Sequence, residues 1–219
     1  MKDFANAISW IFVPLCMPLY ALLVLMYVPS SEGILFNDDS LYHLPSSVKL
    51  ALLFIFFVFS IMAPGLTLVY MMKKKIISNI EIDDKKERLI PLLITAGYCL
   101  ILYLFFIFSA ENVSYLPRYI FGLPLSGFIT ISLFAWINFY TKISLHACGA
   151  GILTGIIFAY CAHSISFEFK LLLIAVYISG FVLSSRLYLN KHTLPQVIYG
   201  FCGSSIIVFL INYYYPAGY

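Results

Sequence analysis

Long apolar runs alternate with short polar segments along the whole chain. A helix needs about 20 mostly apolar residues to cross the hydrocarbon core of a bilayer. Runs of that length predict an all-α integral membrane bundle of about six to seven transmembrane helices. The expected ranges are about 7–28, 49–72, 89–110, 119–140, 143–163, 169–188 and 194–214.

The polar segments between these runs are not spread evenly over the two membrane faces. Successive spans cross in opposite directions, so the segments 73–88, 141–146 and 185–196 all emerge on the face that carries the N-terminus. His43 and His163 fall on the other face. Three charged segments on one face predict a shared site there.

Composition agrees with a membrane protein that forms one domain over residues 1–219. The chain is 62% hydrophobic and 11% charged, whereas a soluble domain is roughly 45–50% apolar and about 25% charged. A net charge of +3, with basic residues scattered among loops, argues against a nucleic-acid partner. The five cysteines lie in apolar stretches without a C-x-x-C pair, so we interpret them as small buried hydrophobic residues.

Small residues recur at four-residue spacing on two of the expected spans. Gly151 and Gly155 form such a pattern on the fifth span, and Gly200 and Ser204 repeat it on the last. Patterns of this kind let two membrane helices approach closely. We therefore expect close helix packing at the small residues of each of these spans.

The segment 185–196 carries the strongest chemical signal. It places Arg186 and His192 between two apolar runs. Ionisable groups so near the hydrocarbon are costly, so they are candidates for function. The planar guanidinium suits a phosphate, and a histidine can act as a nucleophile or transfer protons near neutral pH. The segment predicts a phosphate-handling site at a membrane surface.

Together, the three segments resemble the type 2 phosphatidic acid phosphatase superfamily, with motifs K-x6-R-P, P-S-G-H and S-R-x5-H-x3-D. Ser185, Arg186 and His192 match the third motif, in which Gln196 replaces the aspartate. Ser144-Leu-His146 matches part of the second motif.

The first motif is matched only weakly. Arg88 is followed by a proline at position 91 rather than at once, and Glu81 stands where the lysine is expected. The chain also resembles a compact bacterial subgroup with the patterns D-x-x-E-R-x-x-P, K-I-S-x-H and A-H-T-x-x-Q-V-x-x-G. These read DKKERLIP at 84–91, KISLH at 142–146 and KHTLPQVIYG at 191–200. The resemblance covers about residues 80–205.

The resemblance implies a role for each polar residue and no metal or other cofactor. His192 would attack phosphorus and form a phosphohistidine, and His146 would protonate the leaving oxygen. Lys142 fits either a membrane-surface anchor or a substitute for the missing lysine. The phosphate oxygens would be bound by Arg88, Arg186, Lys85, Lys86 and Ser144.

Gln196 has two interpretations. The aspartate at this place in the family orients the nucleophilic histidine, whereas glutamine can accept a hydrogen bond without supplying charge. Thr193 and Gln196 also form a T-x-x-Q pattern, which predicts a capping box that opens the last helix. If the lost charge is supplied elsewhere, Glu87 or Asp84 is the expected source.

The resemblance implies an integral membrane lipid phosphatase, with a lipid phosphate and the bilayer as its partners. Undecaprenyl diphosphate in a bacterial inner membrane is the favoured substrate, with phosphatidylglycerophosphate, phosphatidic acid and lipid A phosphates as alternatives. Two other functions fit the same motifs. One is a non-catalytic lipid-phosphate binding protein or transporter, and the other is a phosphotransferase that uses a polyprenyl diphosphate. Once candidate site residues are set aside, the remaining basic residues are nearly balanced between the faces, so charge assigns no cytoplasmic side.

Overall fold

The structure is a computed structural model that describes residues 1–29, 40–82, 84–110, 116–164 and 168–215. Within these ranges the chain is helical and forms no strand. The α-helices are α1 (Lys2–Ile11), α2 (Met17–Tyr27), α3 (Ser46–Phe57), α4 (Ala63–Lys73), α5 (Leu89–Ala110), α6 (Tyr119–Ile137), α7 (Leu145–His163), α8 (Phe169–Tyr188) and α9 (Leu194–Tyr214).

Six helical units in the described ranges are long and apolar enough to cross a membrane, so the chain is a multi-pass membrane protein. They correspond to the second to seventh predicted spans, and the last two coincide with α8 and α9. The fifth span starts at Leu145 rather than 143 because Ser144 caps α7. The Ser144 hydroxyl accepts a hydrogen bond from the Ala147 N–H at 3.4 Å.

The first predicted span differs from the expected straight helix. Residues 7–28 fall on α1 and α2, which are joined by a 3₁₀ turn (Pro14–Cys16) and bent by 41°. Pro14 and Pro18 have no N–H to donate, and each restricts the residue before it, so the chain breaks its helix here. α1 consequently lies against α8, where the Ser9 and Ser185 hydroxyl oxygens are 3.3 Å apart.

A second irregularity lies inside the unit Ser46–Lys73. The five residues Val58–Met62 form a π-helical segment between α3 and α4. Pro64, two residues after Met62, cannot donate to a carbonyl one turn earlier, and such gaps are resolved by local changes of helix type. The hydrophobic pattern predicted the span and gave no signal of this segment.

The glycine pattern produces the tightest helix pair of the bundle, α7 against α9. A Cβ added at Gly151 would lie 2.0 Å from the Ser204 Oγ and 2.4 Å from the Phe201 carbonyl oxygen. A Cβ added at Gly155 would lie 2.7 Å from the Ser205 carbonyl oxygen. Close packing at these small residues agrees with their spacing, and the structure shows that the two spans pack against each other. It holds the first turns of α7 and α9 side by side, where the Ser144 N–H donates to the Gln196 carbonyl at 3.3 Å.

This packing predicts the effect of a single methyl group. Gly151→Ala should destabilise the protein by about 1–3 kcal/mol because the added Cβ overlaps the backbone of α9. Gly180→Ala is the matched control, since a Cβ there meets no atom within 4 Å and alanine favours a helix over glycine by roughly 0.5–1 kcal/mol. Unfolding in detergent measures both variants. Equal stability of the two would contradict the packing argument.

Candidate active site

The segments before α5, α7 and α9 are tied together by hydrogen bonds. The Lys85 ammonium donates to the Phe139 carbonyl at 3.0 Å, and the Asn138 side-chain amide donates to the Lys85 carbonyl at 3.0 Å. The link from Ser144 to Gln196 joins the third segment. The structure thus gathers the three charged segments at one end of the bundle, as the alternation of spans predicts.

Arg88 lies at the centre of these links. Its side chain is buried, and its Nε and Nη1 donate to the carbonyl oxygens of Ile82 and Ile143, each at 2.7 Å. Bonds from a charged donor to backbone carbonyls are strong, so Arg88 fixes the loop before α5 against the loop before α7. The sequence assigned this residue to phosphate. The structure gives it a part in holding the site together.

Arg186 lies in the last turn of α8 and is only 2% exposed. Its Nη2 is 3.1 Å from Oε2 of Glu81, and the Lys191 Nζ is 3.5 Å from the same oxygen. Glu81 was not predicted as a site residue, and Lys191 was a candidate without an assigned role. The signal available in the sequence was the acidic residue at the position of the first-motif lysine.

Gln196 makes both of the contacts that its two interpretations predict, one with His192 and one with Thr193. Its Oε1 lies 3.3 Å from the Thr193 N and 3.2 Å from the His192 Nδ1. The backbone N–H of Thr193 can only donate, so this oxygen is an acceptor and the His192 Nδ1 must carry the hydrogen. The neutral ring therefore keeps its lone pair on Nε2. Gln196 caps α9, within the predicted capping box, and orients His192 at once.

The surroundings of His192 keep its ring neutral. Burial first, and then the positive charges of Arg88, Lys142 and Arg186, lower the pKa of His192 from 6.5 to about 4, while the hydrogen bond to Gln196 opposes them. The three cations are therefore near enough to act electrostatically on the ring. At neutral pH the group available at this position is an uncharged imidazole.

His146 begins the first turn of α7 and faces α1. Its Nε2 lies 3.2 Å from the Ser9 carbonyl oxygen. A carbonyl only accepts, so this nitrogen carries a hydrogen. Arg186, Glu81 and His192 are close enough to act electrostatically on the His146 ring. The two histidines and Arg186 are thus brought together, and the bent α1 supplies a contact that no sequence motif indicated.

The remaining predicted residues occupy different environments. Ser144 is fully buried, and its hydroxyl serves as the cap of α7. Lys85 is half-buried on the Phe139 carbonyl, whereas Lys86 is exposed. The contacts of Ser144 and Lys85 stabilise the backbone around the site, at the start of α7 and in the loop before it.

Neither acidic residue expected to replace the missing aspartate is bound to His192. The Glu87 Oε2 accepts hydrogen bonds from the Ser78 N–H at 2.7 Å and the Ser78 hydroxyl at 2.9 Å. The Asp84 Oδ1 accepts from the Lys86 N–H at 2.9 Å. Both carboxylates order the loop before α5 instead. The acidic residue that pairs with Arg186 is Glu81.

An apolar cavity of about 190 Å³ opens beside His146. Ser9, Glu81 and His146 lie among its lining residues at the end near the site, and Cys99, Gly127 and Ile152 line it deeper in the bundle. From Leu145 to Ile152 on α7 the cavity extends roughly 10 Å along the helix axis. It exceeds the engineered apolar cavity of about 150 Å³ that binds benzene, so it can hold part of a hydrocarbon chain.

The hydrogen bonds of Gln196 predict the tautomer of His192. In protein carrying ¹⁵N-labelled histidine, the resonances that disappear in His192→Gln should report a neutral ring at pH 6 with hydrogen on Nδ1. Gln196→Met should shift the ring toward the Nε2–H form because it removes the acceptor. An Nε2–H ring in the unaltered chain would show that Gln196 does not orient it.

The chain matched no protein-family model, no curated protein and no solved structure.

Proposed function

We propose that this protein is an integral membrane phosphatase that hydrolyses a lipid phosphate or diphosphate through a phosphohistidine. The observation that supports it most is the neutral ring of His192, oriented by Gln196, with Arg186 and His146 close by. A nucleophile, a proton donor and a buried cation around one small volume are the groups that phosphoryl transfer requires.

The reaction proceeds in two displacements. The His192 Nε2 lone pair attacks phosphorus, a P–N bond forms, and the P–O bond to the lipid breaks while Arg186 stabilises charge on the phosphoryl oxygens. The negative charge of the bound phosphate favours the imidazolium form of His146, which donates the proton on its Nδ1 to the leaving oxygen and becomes neutral. Water then loses a proton to His146 and attacks phosphorus, and the P–N bond breaks. This step releases inorganic phosphate, restores the neutral His192 ring and returns His146 to the imidazolium form.

The apolar cavity supports a lipid as the substrate. Its walls accept a hydrocarbon chain, and its lining includes His146 and Glu81 near the charged groups. Attack on a lipid diphosphate expels the lipid monophosphate, a stable anion that needs less protonation than an alkoxide. Undecaprenyl diphosphate therefore stays the favoured substrate, and the bacterial inner membrane stays the favoured location.

A non-catalytic lipid-phosphate binding protein is the second candidate. Two observations favour it: Glu81 is paired with Arg186 and Lys191, and Arg88 donates to backbone carbonyls. Such a protein would bind the headgroup with the same cations and would have no need of a nucleophilic His192. The substitution below separates the two candidates.

Replacing the nucleophile tests the proposed reaction. His192→Ala should reduce phosphate release from undecaprenyl diphosphate by at least about 10³-fold because no P–N bond can form. His43→Ala is the matched control, since His43 is an exposed histidine on a turn remote from the charged segments. Purified protein in detergent and a colorimetric phosphate assay give the rates. Equal rates for folded His192→Ala and the parent would exclude the phosphohistidine route.

The contact between Gln196 and His192 predicts the pH at which activity falls on the acid side of the pH–rate profile. With the His192 pKa lowered to about 4, the nucleophile is unprotonated at neutral pH, and activity should fall only as the pH drops toward 4. Gln196→Asp places a negative charge beside the ring, which favours the imidazolium and raises this pKa. The acid limb should therefore move to higher pH, by about one unit or more. Identical pH–rate profiles for the parent and Gln196→Asp would show that residue 196 does not influence the titration of His192.

A further inference from the structure

Glu81 occupies an unusual position for a site that binds an anion. Its carboxylate lies against Arg186 and Lys191, the two cations at the end of α8 and in the loop before α9. Glu81 also lines the apolar cavity together with His146. A carboxylate at this point is a competitor for any phosphate that approaches the same donors, since two anions on one set of cations repel each other.

The pairing leaves Arg186 incompletely bonded. A single oxygen, Oε2 of Glu81, contacts both the Arg186 Nη2 and the Lys191 Nζ. Within the described part of the chain, the buried Nε of Arg186 has no hydrogen-bond partner. A guanidinium binds best when two adjacent N–H groups meet two oxygens of one anion. The contact with Glu81 does not reach that geometry.

A phosphate matches these donors better than the carboxylate does. Its oxygens are directed around one phosphorus, so two of them can accept from the Nε and Nη2 of Arg186 while a third faces Lys191. Filling the Nε would also remove the cost of a buried donor without a partner. The donor set therefore favours exchange of Glu81 for phosphate.

The backbone beside Glu81 is held in place while its side chain is accessible. Ile82 adopts a positive φ of 51°, a strained conformation for a β-branched residue. Its carbonyl accepts from Arg88, and its side chain is buried with Met71 and Ile77. The Glu81 side chain, in contrast, is 33% exposed. Rotation of that side chain would withdraw its carboxylate from Arg186 and Lys191 without moving the loop.

We propose that the Glu81 carboxylate occupies the phosphate-binding position of Arg186 and Lys191 until the phosphate group of the substrate displaces it. This inference rests on the proposed function for the identity of the substrate, and it adds a competing group within the same site. Glu81 lowers the affinity for every anion and makes binding depend on a ligand that can replace both of its contacts.

Binding of inorganic phosphate tests the displacement without turnover. In full-length protein in detergent, isothermal titration calorimetry should show that Glu81→Gln binds phosphate about tenfold more tightly or better than the parent, because the competing charge is gone. Glu87→Gln is the matched control. It removes one negative charge from the same loop, where the Glu87 carboxylate bonds to Ser78, and its Kd should equal that of the parent.

Unchanged or weaker phosphate binding by Glu81→Gln would overturn the proposal and would mean that Glu81 positions Arg186 instead. An equal gain in both variants would also overturn it, since that gain would come from overall charge. If Glu81→Gln does not fold, Glu81→Asp decides. It keeps the charge but shortens the reach by one methylene, so it should bind phosphate more tightly than the parent, and no gain would count against displacement.

The binding result and the proposed function can fail separately. Tighter phosphate binding by Glu81→Gln without release of phosphate from any lipid substrate would leave the displacement standing and reject the phosphatase. Release from lipid by the parent, with no gain in phosphate affinity in Glu81→Gln, would reject the displacement alone.

Discussion

The close contact between α7 and α9 is the constraint on which the arrangement of the site depends. Gly151 and Gly155 allow the two helices to approach until a single methyl group would overlap the opposite backbone. At that separation the first turns of both helices lie side by side, and the Ser144 N–H reaches the Gln196 carbonyl. His146 and His192 flank these two residues in the chain. The distance between the histidine-bearing segments is therefore set by glycines inside the bundle.

The charged groups of the site are held by a second set of interactions that compensates for their burial. A buried guanidinium is tolerated only when its donors are satisfied or paired with an opposite charge. Arg88 meets this condition with two backbone carbonyls, and Arg186 meets it in part through Glu81. The two arginines thus differ in kind. Arg88 joins loops, whereas Arg186 retains a donor that a ligand can use.

Gln196 shows how one residue can meet a structural and a chemical demand with the same atom. Its Oε1 accepts from the Thr193 N–H, which opens α9, and from the His192 Nδ1. Because the backbone N–H cannot accept, the amide orientation is determined, and the tautomer of the histidine follows from it. A glutamine therefore supplies the orientation expected of an aspartate without its charge. Because glutamine adds no negative charge, burial and the neighbouring cations leave the pKa of His192 at about 4.

The sequence alone determined the membrane class, six of the spans and the face on which the charged segments meet. These properties depend on run length, on alternation of direction and on the periodic spacing of small residues, all of which are local. The sequence also predicted the capping box of Thr193 and Gln196. Only the tertiary structure decided the break at Pro14, the π-helical segment before Pro64, the contact of Ser9 with His146 and the pairing of Glu81 with Arg186. Those features join residues far apart in the chain, and their geometry depends on how the helices pack, which no local pattern specifies.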